Sequence, residues 1–312
     1  MNLDRLLKRF PKDYLEKRLS LQVDHSAYRL GSKKFLSIYI ENIEWIFVVL
    51  KWLLKLSGLY SLGQRNTIHY RITQNHLKFD NLPKSFEGYR ILHLSDIHID
   101  GILDKGKNLY SILDDLEYDL CVITGDYRYH THGEYDLVIE GMKELRSHLN
   151  KDTFCILGNH DFIEFVEPFE EFGFKCLINE RIKINKNNDS IYFLGSDDMH
   201  FYESQNFSKL FEGLESNDFK VMLLHSPEGY KQAESDNVSL YLCGHTHGGQ
   251  ICLPGELPII SNSSAPKKFN KSAWTYGKMQ GYTSNGVGSS GLDVRFFCPP
   301  EIIIHHLHGN FY

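Results

Sequence analysis

Five short fragments of this 312-residue chain carry the residue types from which metal centres are built. "SDIH" offers Asp96 and His98, "GD" offers Asp126, "GNHD" offers Asn159, His160 and Asp161, "LLHSPE" offers His225, and "GHTH" offers His245 and His247. Two carboxylates, several neutral imidazoles and one amide oxygen suit borderline divalent cations such as manganese, iron or zinc. The set is too rich in nitrogen for magnesium alone. A lone His-x-His is commonly a surface turn. Here the pair lies among Gly244, Gly248 and Gly249, where the backbone can bend sharply. Five such fragments in order, each closing an apolar run, describe one constellation and not a series of chance turns.

The runs that precede the fragments are the elements that must position them. "RILHLSD", "LCVITGD", "TFCILGN", "SIYFLGSDD", "KVMLLHSPE" and "SLYLCGH" are short and β-branched or apolar, as buried strands are. Between the earlier ones, "GKNLYSILDDLEY" and "DLVIEGMKELRSHL" have helical character, so the chain builds β-α-β units. Upstream, "TIHYRITQNHLKF" alternates as a strand does, with Ile68, Tyr70 and Ile72 on one side. In open α/β sheets ligands bind outside the carboxyl ends of the strands, which is where all five fragments fall.

Together the fragments spell D-x-H, G-D, G-N-H-[DE], H and G-H-x-H, in full and in order. In this the chain resembles the calcineurin-like metallophosphoesterases, from about Thr67 to the C-terminus. Its tail, "GYTSNGVGSSGLDVRFFCPPEIIIHHL", is similar to the ending of the membrane-associated bacterial branch. The resemblance implies an α/β fold of four layers, α-β-β-α, with two mixed sheets face to face. That domain would occupy residues 66–312, after a basic N-terminal region at 1–65 that holds an amphipathic helix. The resemblance also implies a phosphoric ester or pyrophosphate hydrolase with two divalent cations, manganese expected first and iron or zinc as alternatives. One cation would take Asp96, His98 and His247, and the other Asn159, His225 and His245. Asp126 would bridge them, since a carboxylate has two oxygens to share and an imidazole one free nitrogen. His160 would act as electrostatic stabiliser or general acid, with Asp161 orienting its ring. Arg128 and Arg295 would each contact a substrate phosphate or form an ion pair. "SDDMHFY" places Asp197, Asp198 and His200 after a further strand, either with His200 as a substrate contact or as a capped turn supporting the site.

Composition bounds the partners. With 42% hydrophobic and 24% charged residues the chain reads as globular, and a net charge of −6 gives no reason to expect nucleic acid. Charge is nevertheless uneven, since residues 1–60 are basic and the rest is strongly acidic. The six cysteines show no Cys-x-x-Cys spacing and several lie in apolar runs, as buried thiols of a reducing compartment do. "MNLDRLLKRFPKDYLEKRLS" lacks the pattern of a secretory signal, so the expected location is cytoplasmic.

The stretch from Phe35 to Tyr60 is the segment that could meet a membrane. Glu41, Glu44, Lys51 and Lys55 fall on one helical stripe, and the charge-free run Trp45–Leu50 is far short of the roughly 18 residues a spanning helix needs. The expectation is a helix lying in the interface at the inner face of the cytoplasmic membrane. Its apolar face would hold Ile43, Trp45, Ile46, Val49, Leu50, Leu53 and Leu54, and the preceding basic segment would meet anionic lipid. The alternative is a helix packed on the protein's own core or on a second subunit. A membrane-resident enzyme of this resemblance implies a lipid-linked phosphodiester or pyrophosphate, such as UDP-2,3-diacylglucosamine of the lipid A pathway. The competing readings are a phosphodiesterase of broad or nucleotide specificity, and a non-catalytic binding scaffold, against which the complete motif set speaks.

Overall fold

The computed structural model describes residues 3–24, 44–259 and 262–311. In chain order its strands are β1 (Arg71–Phe79), β2 (Tyr89–Leu94), β3 (Leu120–Ile123), β4 (Thr153–Cys155), β5 (Phe174–Cys176), β6 (Glu180–Lys186) and β7 (Asp189–Gly195). There follow β8 (Lys220–Leu223), β9 (Leu240–Cys243), β10 (Cys252–Leu253), β11 (Leu257–Pro258), β12 (Ser272–Tyr276), β13 (Met279–Thr283) and β14 (Glu301–Gly309). Two six-stranded mixed sheets result, ordered β1-β14-β2-β3-β4-β5 and β12-β13-β9-β8-β7-β6, while β10 and β11 form a separate ribbon. Within the sheets β2 to β5 run parallel to one another, as do β7, β8, β9 and β13. All their carboxyl ends therefore emerge along shared edges.

Strands apolar at every position need cover on both faces. In β3, Leu120 and Val122 join the core between the sheets, while Cys121 and Ile123 join the core under the helices. In β9, Leu240 and Leu242 point into the inter-sheet core, and Tyr241 and Cys243 into the outer one. The outer cover of the first sheet includes α1 (Leu3–Arg9), α2 (Lys12–Asp24), α5 (Lys107–Asp115), α6 (Asp136–Ser147) and α7 (Val166–Glu171). That of the second includes α8 (Phe207–Phe211) and α9 (Tyr230–Ser235). This is the four-layer α-β-β-α sandwich. The six cysteines are buried and unpaired.

The N-terminal helices are part of the sandwich. Leu6, Phe10 and Leu15 are buried in the first helical core. Arg5 pairs with Glu167 and Glu171, and Arg9 with Glu170 and Glu180. Arg18 is fully buried, with Nε 3.2 Å from Asp197 Oδ2 and its guanidinium over the Tyr202 ring. The Tyr14 hydroxyl donates to the same carboxylate oxygen at 2.6 Å. Positive charge that the sequence reading offered to anionic lipid is thus, at Arg5, Arg9 and Arg18, matched by acids of the protein's own body.

The amphipathic segment forms α3 (Glu44–Leu56), followed by α4 (Tyr60–Asn66). Residues 35–43, with Glu41 and Ile43, lie outside the described residues, as do the side chains of Glu44, Trp45 and Ile46. Lys51 faces the body, 3.3 Å from Asp293 Oδ1, and Asp293 also accepts from the Tyr60 hydroxyl and Gln64 Nε2. A half-buried carboxylate needs such partners, and that need draws one of the charged positions inward. Val49, Trp52, Leu53 and Leu56 remain exposed, Leu53 by 56% and Trp52 by 62%. No described helix is long and apolar enough to cross a membrane.

Candidate metal centre

Each chemical fragment sits just beyond a strand. Asp96 and His98 follow β2, Asp126 follows β3, Asn159 and His160 follow β4, His225 follows β8, and His245 and His247 follow β9. The backbone there is unusual. Asp96, His98, Asp126, His245 and His247 all have positive φ, between 44° and 69°. Such conformations cost of order 1–3 kcal/mol each in non-glycine residues and persist where the surroundings over-determine them. Two glycines permit the close approach. A Cβ on Gly158 would collide with the Asp126 carboxylate, and one on Gly244 with Ser95 and the Asp96 carboxylate. Gly248 and Gly249 supply positive φ in the turn, but Gly244 is required for proximity.

The side chains form two adjoining groups, Asp96, His98 and His247 in one and Asp126, His225 and His245 in the other. Within each, the ligand atoms lie within 4.8 Å of one another and all residues are buried. Asp126 Oδ2 is 3.2 Å from His225 Nε2 and 4.0 Å from His98 Nε2, so its carboxylate touches both groups. Asn159 joins the second group, its Oδ1 2.9 Å from His245 Nδ1.

Hydrogen bonds on the far side of the rings decide which nitrogen faces inward. His98 Nδ1 lies 2.6 Å from the Arg128 carbonyl and His225 Nδ1 2.7 Å from the Thr124 carbonyl. A carbonyl can only accept, so Nδ1 carries the proton and the Nε2 lone pair points to the centre. His98 Nε2 is 3.2 Å from His247 Nε2, which is 3.4 Å from Asp96 Oδ1, and His245 Nε2 is buried without a hydrogen-bond partner among the described residues. Converging acceptors of this kind fit divalent cations. Burial alone would raise the Asp126 carboxyl, but His225, His160 and His98 hold it well below the usual range. Burial and neighbouring cationic or imidazole groups, His200 for His245 and His98 for His247, push both histidines well down and keep them neutral, as ligation requires. Against the cost of burial, Asp126 and Asp96 hold His225 above its ordinary value, so cation binding there displaces a proton.

His160 stands at the edge of both groups, its Nε2 3.9 Å from Asp126 Oδ2 and its backbone N–H donating to Asp126 Oδ1. Its ring is oriented by the Tyr129 carbonyl, 3.1 Å from Nδ1. Asp161 has a different task from the expected one. Its carboxylate accepts the backbone N–H groups of Asp126, Tyr127 and Gly158, and so clasps the two strand-end loops together. Burial and then Asp126 raise its pKa to about 7.

The two arginines lie buried near the centre. Arg128 is buried, donates to the His132 and Gly133 carbonyls and lies over the Phe162 ring, with no ion pair to an acid among the described residues. Arg295 is fully buried and donates to the carbonyls of Asn285, Gly288 and Cys298, with Nη2 3.3 Å from His247 Nδ1. The Arg295 guanidinium is consumed by carbonyls, because the loop it braces turns its oxygens inward, whereas Nε and Nη1 of Arg128 are buried without a hydrogen-bond partner among the described residues. Asp198 is the cap of its turn, accepting from His200, Phe201 and Tyr202 backbone N–H groups. His200 packs its ring 4.1 Å from that of His245, with Nδ1 3.1 Å from Glu228. Glu228, in the same fragment as His225, was not singled out by sequence reasoning. Its signal was a carboxylate three residues beyond a ligand candidate.

A buried double cluster of carboxylate and imidazole at the carboxyl edges of an α-β-β-α sandwich defines a metal-dependent phosphoester hydrolase. The chain belongs to the calcineurin-like phosphoesterase family, whose model matches residues 89–249. It is 28% identical over 244 residues to the metallophosphoesterase YkuE of Bacillus subtilis, covering 75% of this chain and 84% of that protein. A metallophosphoesterase of Helicobacter pylori strain 26695 is 28% identical over 301 residues, 91% of this chain and 76% of the other. The phosphodiesterase YaeI of Escherichia coli K12 is 26% identical over 233 residues, 70% of this chain and 82% of the other.

Proposed function

We propose that the protein hydrolyses a phosphodiester or pyrophosphate bond in a lipid-linked substrate at the inner face of the cytoplasmic membrane. The observation that carries the hydrolytic part is the double cluster, with Asp126 reaching both groups and His160 standing beside them. Asp96, His98 and His247 hold one divalent cation, and Asn159, His225 and His245 the other, with Asp126 shared. Manganese is the first choice, with iron or zinc compatible with the same donors. Bound there, the cations supply polarisation of the phosphoryl oxygens and a water that deprotonates near neutral pH. His160, held by the Tyr129 carbonyl, places its Nε2 toward the phosphoryl oxygens, where it stabilises charge or protonates the leaving group. Asp161 keeps the Asp126 and His160 loops in register. His200 borders the substrate beside His245, and Arg128 and Arg295 brace the loops around it.

The lipid link is supported by the exposed apolar residues of α3, of which Leu50 lines a cavity together with Asp126, His160, His245 and His247. UDP-2,3-diacylglucosamine is the substrate that best joins this surface to the pyrophosphate chemistry. The test compares it with a plain UDP-sugar and with bis-p-nitrophenyl phosphate, using protein stripped by chelator and reloaded with manganese. Metal-restored turnover that favours the acylated compound supports the reading. Equal turnover of the UDP-sugar favours a broad phosphodiesterase, and no turnover of any compound favours a binding scaffold.

A further inference from the structure

Helix α3 stands between two cavities at the approach to the metal centre, one mainly apolar and one of mixed character. One, of about 280 Å³, has Asp126, His160, His245 and His247 at its floor and Phe47, Leu50, Ile251, Ile259 and Leu292 in its walls. The other, of about 640 Å³, sets Lys51, Asp100, His130 and His132 beside Val48 and Tyr129. Both share Phe47, His160 and the segment 290–292, so they meet at the reacting edge of the site.

The first cavity offers little to a polar guest. Gln250, in its wall, donates from Nε2 to the Ser290 and Leu292 carbonyls and accepts the Ser290 N–H at Oε1. Thr246 donates its hydroxyl to the Asn270 carbonyl. A nucleobase there would set its amide and amine groups against aliphatic side chains, leaving them unpaired. Hydrocarbon loses nothing by the exchange. Leu50 and Ile259 are themselves 37% and 56% exposed, so the apolar lining continues outward. It meets the exposed Val49 and Leu53 of α3 and the exposed Leu253 and Leu257 of the β10–β11 ribbon. Among the described residues this lining gives a chain an apolar path from the surface to the metal centre, passing Asn262 and Ser290.

We propose that the apolar cavity is a hydrocarbon-chain site, and that the scissile phosphate joins a chain seated there to a polar head seated in the cavity across α3. The assignment rests on the phosphodiester reading above and adds to it the orientation of the substrate and the residues that select it. The chain enters beneath Phe47 and Leu50, the phosphorus lies at His160, and the head lies among Lys51, His130 and His132.

The test uses p-nitrophenyl alkyl phosphates from methyl to octyl, each below its aggregation concentration, with manganese-loaded protein. The expected result is a kcat/KM that rises by up to roughly fourfold per methylene until the cavity is full, carried mainly by KM. Leu50→Asp and Ile259→Asp, at positions exposed enough to tolerate charge in the fold, should each cut the octyl-to-methyl ratio by at least about tenfold. Leu137→Asp, on the remote exposed face of α6, should change neither ratio nor rate. Calorimetric binding of ethyl and octyl phosphate to the same proteins reads the site without turnover. A chain-length preference in binding with no diester turnover keeps the cavity and overturns the reaction. Turnover with a flat series overturns the cavity and leaves the reaction standing, as does a preference that the two Asp substitutions fail to reduce.

Discussion

The carboxyl edges of the two sheets and the helix α3 lie side by side and are built on opposite terms. At the sheet edges hydrogen bonds hold the backbone and the far sides of the rings, while His225 Nε2 and His245 Nε2 are left facing the centre without a hydrogen-bond partner among the described residues. Asp161 holds three backbone N–H groups, Asp96 accepts the N–H of His245 through both oxygens, and Thr124 and Arg128 carbonyls fix two ring tautomers. The strain of five left-handed residues is held in place by that network. Helix α3, by contrast, is fastened among the described residues by Phe47 against Gly291 and by Lys51 to Asp293, and leaves Trp52, Leu53 and Leu56 exposed. Chemistry needs positions fixed within fractions of an ångström, whereas contact with an apolar phase needs only area and orientation.

The largest effect expected on the rigid side is at Asp126. Removing the carboxylate that reaches both clusters leaves adjacent cations without their shared anion. Asp126→Ala should therefore lose bound metal and reduce turnover by roughly 10³-fold or more. Elemental analysis decides the point, because two metals retained per chain would remove Asp126 from the bridging position. His160→Ala is expected to separate binding from chemistry, with metal content kept and kcat reduced by roughly 10²- to 10⁴-fold. Near-normal kcat in a metal-replete variant would take His160 out of the mechanism.

On the helix side the effect is smaller and of another kind. Leu53→Glu should weaken sedimentation with phosphatidylglycerol-containing vesicles by about tenfold or more, from the loss of one buried leucine at roughly 1.5–3 kcal/mol. Hydrolysis of a soluble diester should stay within about twofold. Loss of both together, or no vesicle binding by the parent protein, would place the apolar face against protein and dissolve the contrast between the two regions.

The same contrast explains what could be read from the residues alone. Asp96, Asp126, Asn159, His225, His245 and His247 each follow an apolar run within a few positions, so local pattern and site coincide. The β-α-β units followed from those runs, and the α-β-β-α layering from the family resemblance that the fragments carry. The pairing of Arg18 with Asp197 was not legible, because it joins residues 179 positions apart and neither has a local signature. Arg295 was visible as a residue but not as a carbonyl clamp, since that role depends on how the glycine-rich segment folds around it. Helical periodicity located α3 and its stripe of charge, but not the direction it faces. That direction is set by Asp293, a carboxylate more than 200 residues away.

The smallest effect probes how far the rigidity of the sheet edge extends into the first sheet. His93 is fully buried on β2, with Nε2 2.9 Å from the Thr124 hydroxyl and Nδ1 3.3 Å from His305 Nε2. Burial lowers the pKa of His93 from 6.5 to about 3, and burial together with His93 lowers that of His305 well below its ordinary value. Both imidazoles are neutral in the fold, whereas in the unfolded chain they take up protons below about pH 6.5. Stability is therefore fully present above that pH and falls as the pH drops toward 3, by up to about 1.4 kcal/mol per pH unit for each imidazole. His93→Gln keeps a hydrogen-bonding side chain and removes one titrating group, so its denaturation midpoint should be lower at pH 7 yet fall less steeply between pH 6 and 4. Urea melts of both proteins at several pH values measure the two slopes. Identical slopes would mean that His93 is solvated or protonated in the folded protein, and that the ordered network ends at Thr124.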